Sequence, residues 1–182
     1  MRSLSAAAFA GLALLLLSPA ATRADGPKVR TITVDVAEDF SKFVPTFVNA
    51  GDGEPKVGSF FLTQGRLFPA GTIQGDGSTF DPNSAGSIGE WLCRGTHLAD
   101  ASKIISGEAP IWVMTTQQYL LPGDDRSIST EGREGSAPIL RAVIGGTGVF
   151  RGVVGEQRQE LLGFNATGGV NLRVTFTLRS PN

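Results

Sequence analysis

The residues best suited to proton chemistry in this 182-residue chain are the acids of VDVAEDF, Asp35, Glu38 and Asp39. A carboxylate in an apolar cavity is costly unless paired or protonated, and that cost tunes its pKa for acid–base work. Asp35 lies on the run VRTITVDV (29–36), opposite the face carrying Ile32, Val34 and Val36. It therefore points either into a polar-lined pocket or to a solvated exterior. Glu38 and Asp39 follow the end of that run, at the mouth of a pocket or in a solvated turn. Asp35 and Glu38 are the candidate catalytic acids.

A second group could hold a ligand. Tyr119 is the only tyrosine, and alternation places it on one face with Thr115 and Gln117. Such a stripe suits an interior that hydrogen-bonds a guest, and equally a solvent-facing surface. His97, the only histidine, shares a face with Trp91, Cys93 and Gly95, while Arg94 falls on the other. His97 is either a general base or a strand-end histidine bonded to backbone. Arg94 either stabilises an anion or forms an exterior ion pair. The ligand-binding candidates are thus Tyr119, Gln117, His97 and Arg94.

Other chemistries find no support. One histidine makes no His cluster, so no metal is expected. Residues 145–155, GGTGVFRGVVG, space Gly146, Gly148 and Gly152 as G-x-G-x-x-x-G. That is neither a dinucleotide fingerprint nor a phosphate loop with its following Lys, so no nucleotide cofactor is implied. These glycines, with Gly155, read as a tight strand connection in which Phe150 plugs the end of the core. Asp76 and Asp81 do not fit a calcium-loop spacing, and no G-x-S-x-G nucleophile elbow occurs. Asn165-Ala166-Thr167 is a glycosylation pattern or a turn. Cys93 has no partner for an internal disulfide and reads as a small buried hydrophobe. The formal net charge of -1 argues against a nucleic-acid partner.

The elements that must position these residues are strands. Residues 1–24 read as a secretory signal peptide, with Arg2, an apolar run from Ala6 to Leu17, Pro19 and small residues up to Ala24. The run is too short to span a bilayer, so no membrane span is expected after cleavage, and the protein is expected to be secreted or periplasmic. Residues 25–182 then form one domain. The high glycine content, 24 residues, and the strand–turn–strand order point to an all-β chain. GVNLRVTFTL is the clearest strand, with Val170, Leu172, Val174, Phe176 and Leu178 on one face. Eight or nine strands are expected, GTIQ (71–74) holding at most a short one, with no helix between them. Closure removes unpaired edges, which leaves a barrel or a sandwich.

The Gly-rich run, the polar-alternating strand after it and the final VTFTL strand resemble the C-terminal half of allene oxide cyclases and dirigent proteins. The YLLPGDDRSISTEG hairpin looks like the corresponding hairpin of that superfamily, and GEWLCRGTHL resembles its secreted bacterial members. The resemblance spans roughly residues 57–179. It implies an eight-stranded antiparallel β-barrel, commonly a homotrimer, with an apolar pocket at one mouth. It also implies a cofactor-free cyclisation or stereoselective coupling of an apolar or phenolic small molecule, an isomerase-like or dirigent-like activity. The His-Asp pair that dirigent proteins carry near the first strand has no counterpart here, and the Gly-rich turn transmits fold better than activity. The alternative function is a non-catalytic exported carrier or envelope interaction module on the same barrel.

Overall fold

In a computed structural model, residues 28–48, 51, 53–123 and 125–180 are described; residues 1–24, expected from sequence to be a signal peptide, lie outside them. Nine strands follow in chain order: β1 (Val29–Glu38), β2 (Val44–Thr46), β3 (Phe60–Pro69), β4 (Gly89–His97), β5 (Ile111–Leu120), β6 (Ser127–Gly135), β7 (Ile139–Gly146), β8 (Val154–Phe164) and β9 (Val170–Arg179). Each pairs antiparallel with its neighbour in the order β1-β9-β8-β7-β6-β5-β4-β3-β2. The sheet closes where β1 also pairs with β3, from Val34 opposite Pro69 to Glu38 opposite Gly65. The result is an eight-stranded antiparallel barrel, a single domain, with β2 as an additional strand extending the β3 edge at Phe60–Leu62. Closure leaves no long unpaired edge, and this decides between barrel and sandwich.

Period-two alternation builds the interior. Val34 and Val36 of β1, Leu172, Val174, Phe176 and Leu178 of β9, and Trp91, Tyr119, Ile128 and Val143 form one buried cluster. One end of the barrel is stoppered by the Gly-rich connection. There a single 3-10 turn, Gly148–Phe150, drops the buried Phe150 into the core. Gly146 is required by close approach, because a Cβ there would lie 2.6 Å from the Ser127 carbonyl oxygen and 2.7 Å from the Phe150 Cβ. Gly152, at φ +71°, is required by the left-handed turn that releases the chain into β8.

A second, smaller core lies outside the barrel wall. The connection from Pro69 to Gly89 forms a strap over β1, β3 and β9 and packs its Ile73 on Ala37 and Phe68, with Phe80 edge-on to Phe68 at 5.0 Å. The GTIQ segment belongs to this strap and forms no strand, since Gly71 (φ +84°) turns the chain and Asp35 captures the Ile73 N–H. A five-residue helix, α1 (Ala101–Ile105), sits between β4 and β5 where no helix was expected. It is too short for a periodic signal in sequence, and it forms part of the open mouth. Among the described residues no helix is long and apolar enough to cross a membrane.

Candidate functional site

Strand direction puts the ends of β1, β4, β6 and β8 at the end of the barrel opposite Phe150. There the interior opens into a cavity of about 610 Å³. Its walls are Phe40, Phe43, Phe61, Trp91, Trp112 and Phe164, with Ile104 and Ile105 of α1 and Leu161, Val170 and Leu172 from β8 and β9. Phe40 stacks on Phe43 at 5.1 Å and Phe43 on Phe61 at 5.4 Å, while Phe61 meets His97 edge-on at 5.6 Å. Gly95 makes room for this row, because a Cβ there would lie 2.6 Å from the Phe61 ring.

Two carboxylates enter this apolar space. Glu38 ends β1 in phase with Val34 and Val36, so the alternation that builds the core also turns its side chain inward. It accepts hydrogen bonds from Thr63 Oγ1 at 2.6 Å and from the Val170 N–H at 2.9 Å. Burial is the largest influence on the Glu38 pKa and raises it, the like charges of Glu134 and Asp39 add to the rise, and the two hydrogen bonds only partly offset it. Glu134, near the end of β6, is the second carboxylate. It accepts from Gln117 Nε2 at 2.7 Å, Gln159 Nε2 at 3.2 Å, Arg141 Nη1 at 3.4 Å and the Thr115 hydroxyl.

Beneath Glu134 lies a polar layer sealed from solvent. Gln157 Nε2 donates to the Tyr119 hydroxyl at 2.8 Å and to Gln159 Oε1 at 3.1 Å, and the Tyr119 hydroxyl donates to Gln117 Oε1. Burial raises the Tyr119 pKa strongly, so the phenol stays neutral. Arg141 is fully buried and donates to the carbonyls of Gly132 at 2.9 Å, Arg133 at 3.2 Å and Thr115 at 3.0 Å. Gly132 leaves the path for its stem, since a Cβ there would sit 3.0 Å from Arg141 Cγ.

The candidates from sequence divide cleanly by place. Glu38 and His97 line the cavity. His97 is half-buried on the wall; burial lowers its pKa, and its Nδ1 is buried without a hydrogen-bond partner. Gln117 and Tyr119 point inward but belong to the sealed layer below the cavity. Asp35 does not reach the cavity. It faces outward, yet no solvent touches it, because the strap covers it. There it takes Arg173 Nε at 2.9 Å, Arg173 Nη2 at 3.2 Å and the Ile73 N–H at 3.0 Å. Arg94 is also corrected to the outer surface, by the same alternation that turns His97 inward. Asp39 caps the 3-10 turn Phe40–Lys42, and its bonds from Ser41 hold its pKa below the usual range. Cys93 lines the cavity, but burial pushes its thiol well above the ordinary range and leaves it a poor nucleophile.

Sequence reasoning missed Glu134, Arg141, Gln157, Gln159 and most of the aromatic wall. The glutamines carried a signal, standing in phase with Leu161 along β8, but only the register of Gln157 against Phe176 shows that this face is interior. Among the described residues no group of three or more His, Cys, Asp or Glu side chains could hold a metal ion.

No protein-family model matches the sequence, and no curated protein matches it. Solved structures do resemble the fold. The pterocarpan synthase dirigent protein PsPTS1 superposes with a TM-score of 0.62 at 16% identity, over 85% of this chain and 97% of its own. GePTS1, also described as a pterocarpan synthase dirigent protein, gives 0.62 at 14% identity over 91% and 98%. A pyocyanin demethylase gives 0.54 at 18% identity over 82% and 99%. At these identities the likeness shows the fold alone, a closed antiparallel barrel.

Proposed function

We propose that the barrel binds an apolar or phenolic small molecule in its mouth and guides a cofactor-free cyclisation, with Glu38 giving and recovering the proton. The observation that carries this reading is the Glu38 carboxyl, held by Thr63 and the Val170 N–H inside an aromatic cavity and shifted toward its protonated form. In such a step the Glu38 O–H protonates a substrate oxygen, for example that of a strained epoxide, as its C–O bond breaks. A ring bond closes on the electron-poor carbon, and a proton lost from the product returns to Glu38, so the net reaction is an isomerisation. The wall selects one folded conformer, and the exclusion of water protects the reactive intermediate. Stereoselective coupling of phenoxyl radicals fits the same cavity, with an external one-electron oxidant generating the radicals and the wall choosing which faces join.

The names of the fold neighbours, two dirigent proteins and a demethylase, support small-molecule work on this kind of barrel. The allene oxide cyclase resemblance supports the cyclisation. The order of residues 1–24 supports a secreted or periplasmic location. Exposed Leu140, Ile144 and Val154 on β7 and β8 support self-association, for which a homotrimer is our reading.

The test supplies the methyl ester of an unsaturated fatty-acid epoxide, or coniferyl alcohol with a separate one-electron oxidant, and measures product chirality. Enantiomeric excess with the epoxide, reduced on the order of a hundredfold in rate by Glu38→Gln, is expected. Racemic product at stoichiometric protein removes both reactions. Retention of guest without turnover would then leave the carrier function.

A further inference from the structure

The charge balance of the cavity says more about its guest than its shape does. Among the described residues its lining contains two carboxylates, Glu38 and Glu134, and no Lys or Arg. The guanidinium inside the barrel, Arg141, lies below them, with Nη1 and Nη2 committed to Glu134 and to three backbone carbonyls. Among the described residues Glu134 therefore has a cationic partner and Glu38 has none. The bonds holding Glu38 come from a hydroxyl and a backbone N–H, and the charges acting on it, Glu134 and Asp39, are both negative. The same cavity is lined by the stacked rings of Phe40, Phe43 and Phe61 and by Trp91 and Trp112. Aromatic faces attract cations, most strongly where water is excluded.

We infer that the guest of this cavity is an apolar molecule carrying a positive charge, a protonated or quaternary amine, held against the aromatic wall and paired with the Glu38 carboxylate, which gives up its proton as the cation enters. This rests on the reading of the cavity as a ligand site and narrows it. A carboxylate-bearing guest is disfavoured, because it would bring a further negative charge beside Glu134 and Glu38 to a lining that, among the described residues, offers no cation. The developing positive charge of an acid-catalysed ring closure would draw on the same features.

The test uses a matched trio of probes with the full exported chain. These are trimethyl(3-phenylpropyl)ammonium, its uncharged isostere 4,4-dimethylpentylbenzene, and 5-phenylpentanoate. The chain has two tryptophans, Trp91 and Trp112, and both line the cavity, so tryptophan emission reports occupancy directly. The cation should bind about tenfold or more tightly than its neutral isostere, with the carboxylate weakest. Glu38→Gln should bring the cation-to-neutral ratio to within about threefold of unity. Equal binding of cation and isostere, or tightest binding of the carboxylate, overturns the inference while leaving the cavity as a ligand site. Failure of all three probes to bind overturns both. The wild-type ratio decides the matter even if the variant folds poorly.

Discussion

Replacing Asp35 by Ala should destabilise the protein substantially while leaving the cavity's affinity for a guest unchanged. The carboxylate is fully buried between β1 and the strap, and it satisfies three donors: Arg173 Nε at 2.9 Å, Arg173 Nη2 at 3.2 Å and the Ile73 N–H at 3.0 Å. Deleting one partner of a fully buried ion pair costs roughly 3–5 kcal/mol. That range is too high here, because the Arg173 side chain is 36% exposed and water can solvate the released guanidinium. The Ile73 N–H has no such escape, and its stranding alone costs about 1–3 kcal/mol. A net loss of about 2–4 kcal/mol follows, read as a lower urea midpoint. Asp35→Asn, which keeps one acceptor in place, should lose less. The Asp35→Ala, Arg173→Ala double-mutant cycle should show positive coupling. If Asp35→Ala unfolds within about 0.5 kcal/mol of the parent, the strap is not anchored as described. If it instead abolishes guest binding with stability intact, Asp35 acts on the site after all.

Three further outcomes follow from the same geometry. Glu38 holds its proton to higher pH when folded than its ordinary pKa of 4.5 allows, so its contribution to stability is present at low pH and is lost as pH rises from about 4.5 through the elevated folded value. Urea midpoints measured across that window should fall with pH in the parent and fall less in Glu38→Gln. Tyr119→Phe removes the hydroxyl that accepts from Gln157 and donates to Gln117 in a sealed layer, at a cost of about 1–2 kcal/mol by denaturation, with guest affinity little changed since Tyr119 lies below the cavity. Phe150→Ala unplugs the closed end and should cost about 3–4 kcal/mol; a loss under about 1 kcal/mol would mean that Phe150 is not a core residue.

How much of this was legible in the sequence depended on whether one strand or two were needed to read it. The clearest strand, β9, could be read alone, since five apolar residues in phase have only one face to bury. Glu38 could have been read the same way: Ile32, Val34, Val36 and Glu38 are in phase, so a strand carried two residues past Val36 turns Glu38 inward and Asp35 outward. Asp35 escaped because alternation distinguishes the two faces of a wall without revealing that a strap covers the outer one. That strap depends on side chains far apart in sequence, such as Asn171 donating to the Gly77 carbonyl at 3.1 Å, for which no local pattern exists.

The polar layer was illegible for a different reason. Beyond Gln117 and Tyr119, whose stripe is visible from alternation, Glu134, Arg141, Gln157 and Gln159 sit on three strands, and each looks like an ordinary solvent-facing residue until registry assembles them around a common axis. A hydrophobic core announces itself because each apolar side chain is out of place in water by itself. A buried polar network is favourable only as a set, each member satisfied by others contributed from elsewhere in the chain. The guest-facing chemistry inherits this property. On the proposed reading Glu38 serves as a proton donor because burial raises its pKa and the charge of Glu134 on β6 adds to the rise, while the guanidinium from β7 is spent on Glu134 and the carbonyls beneath it.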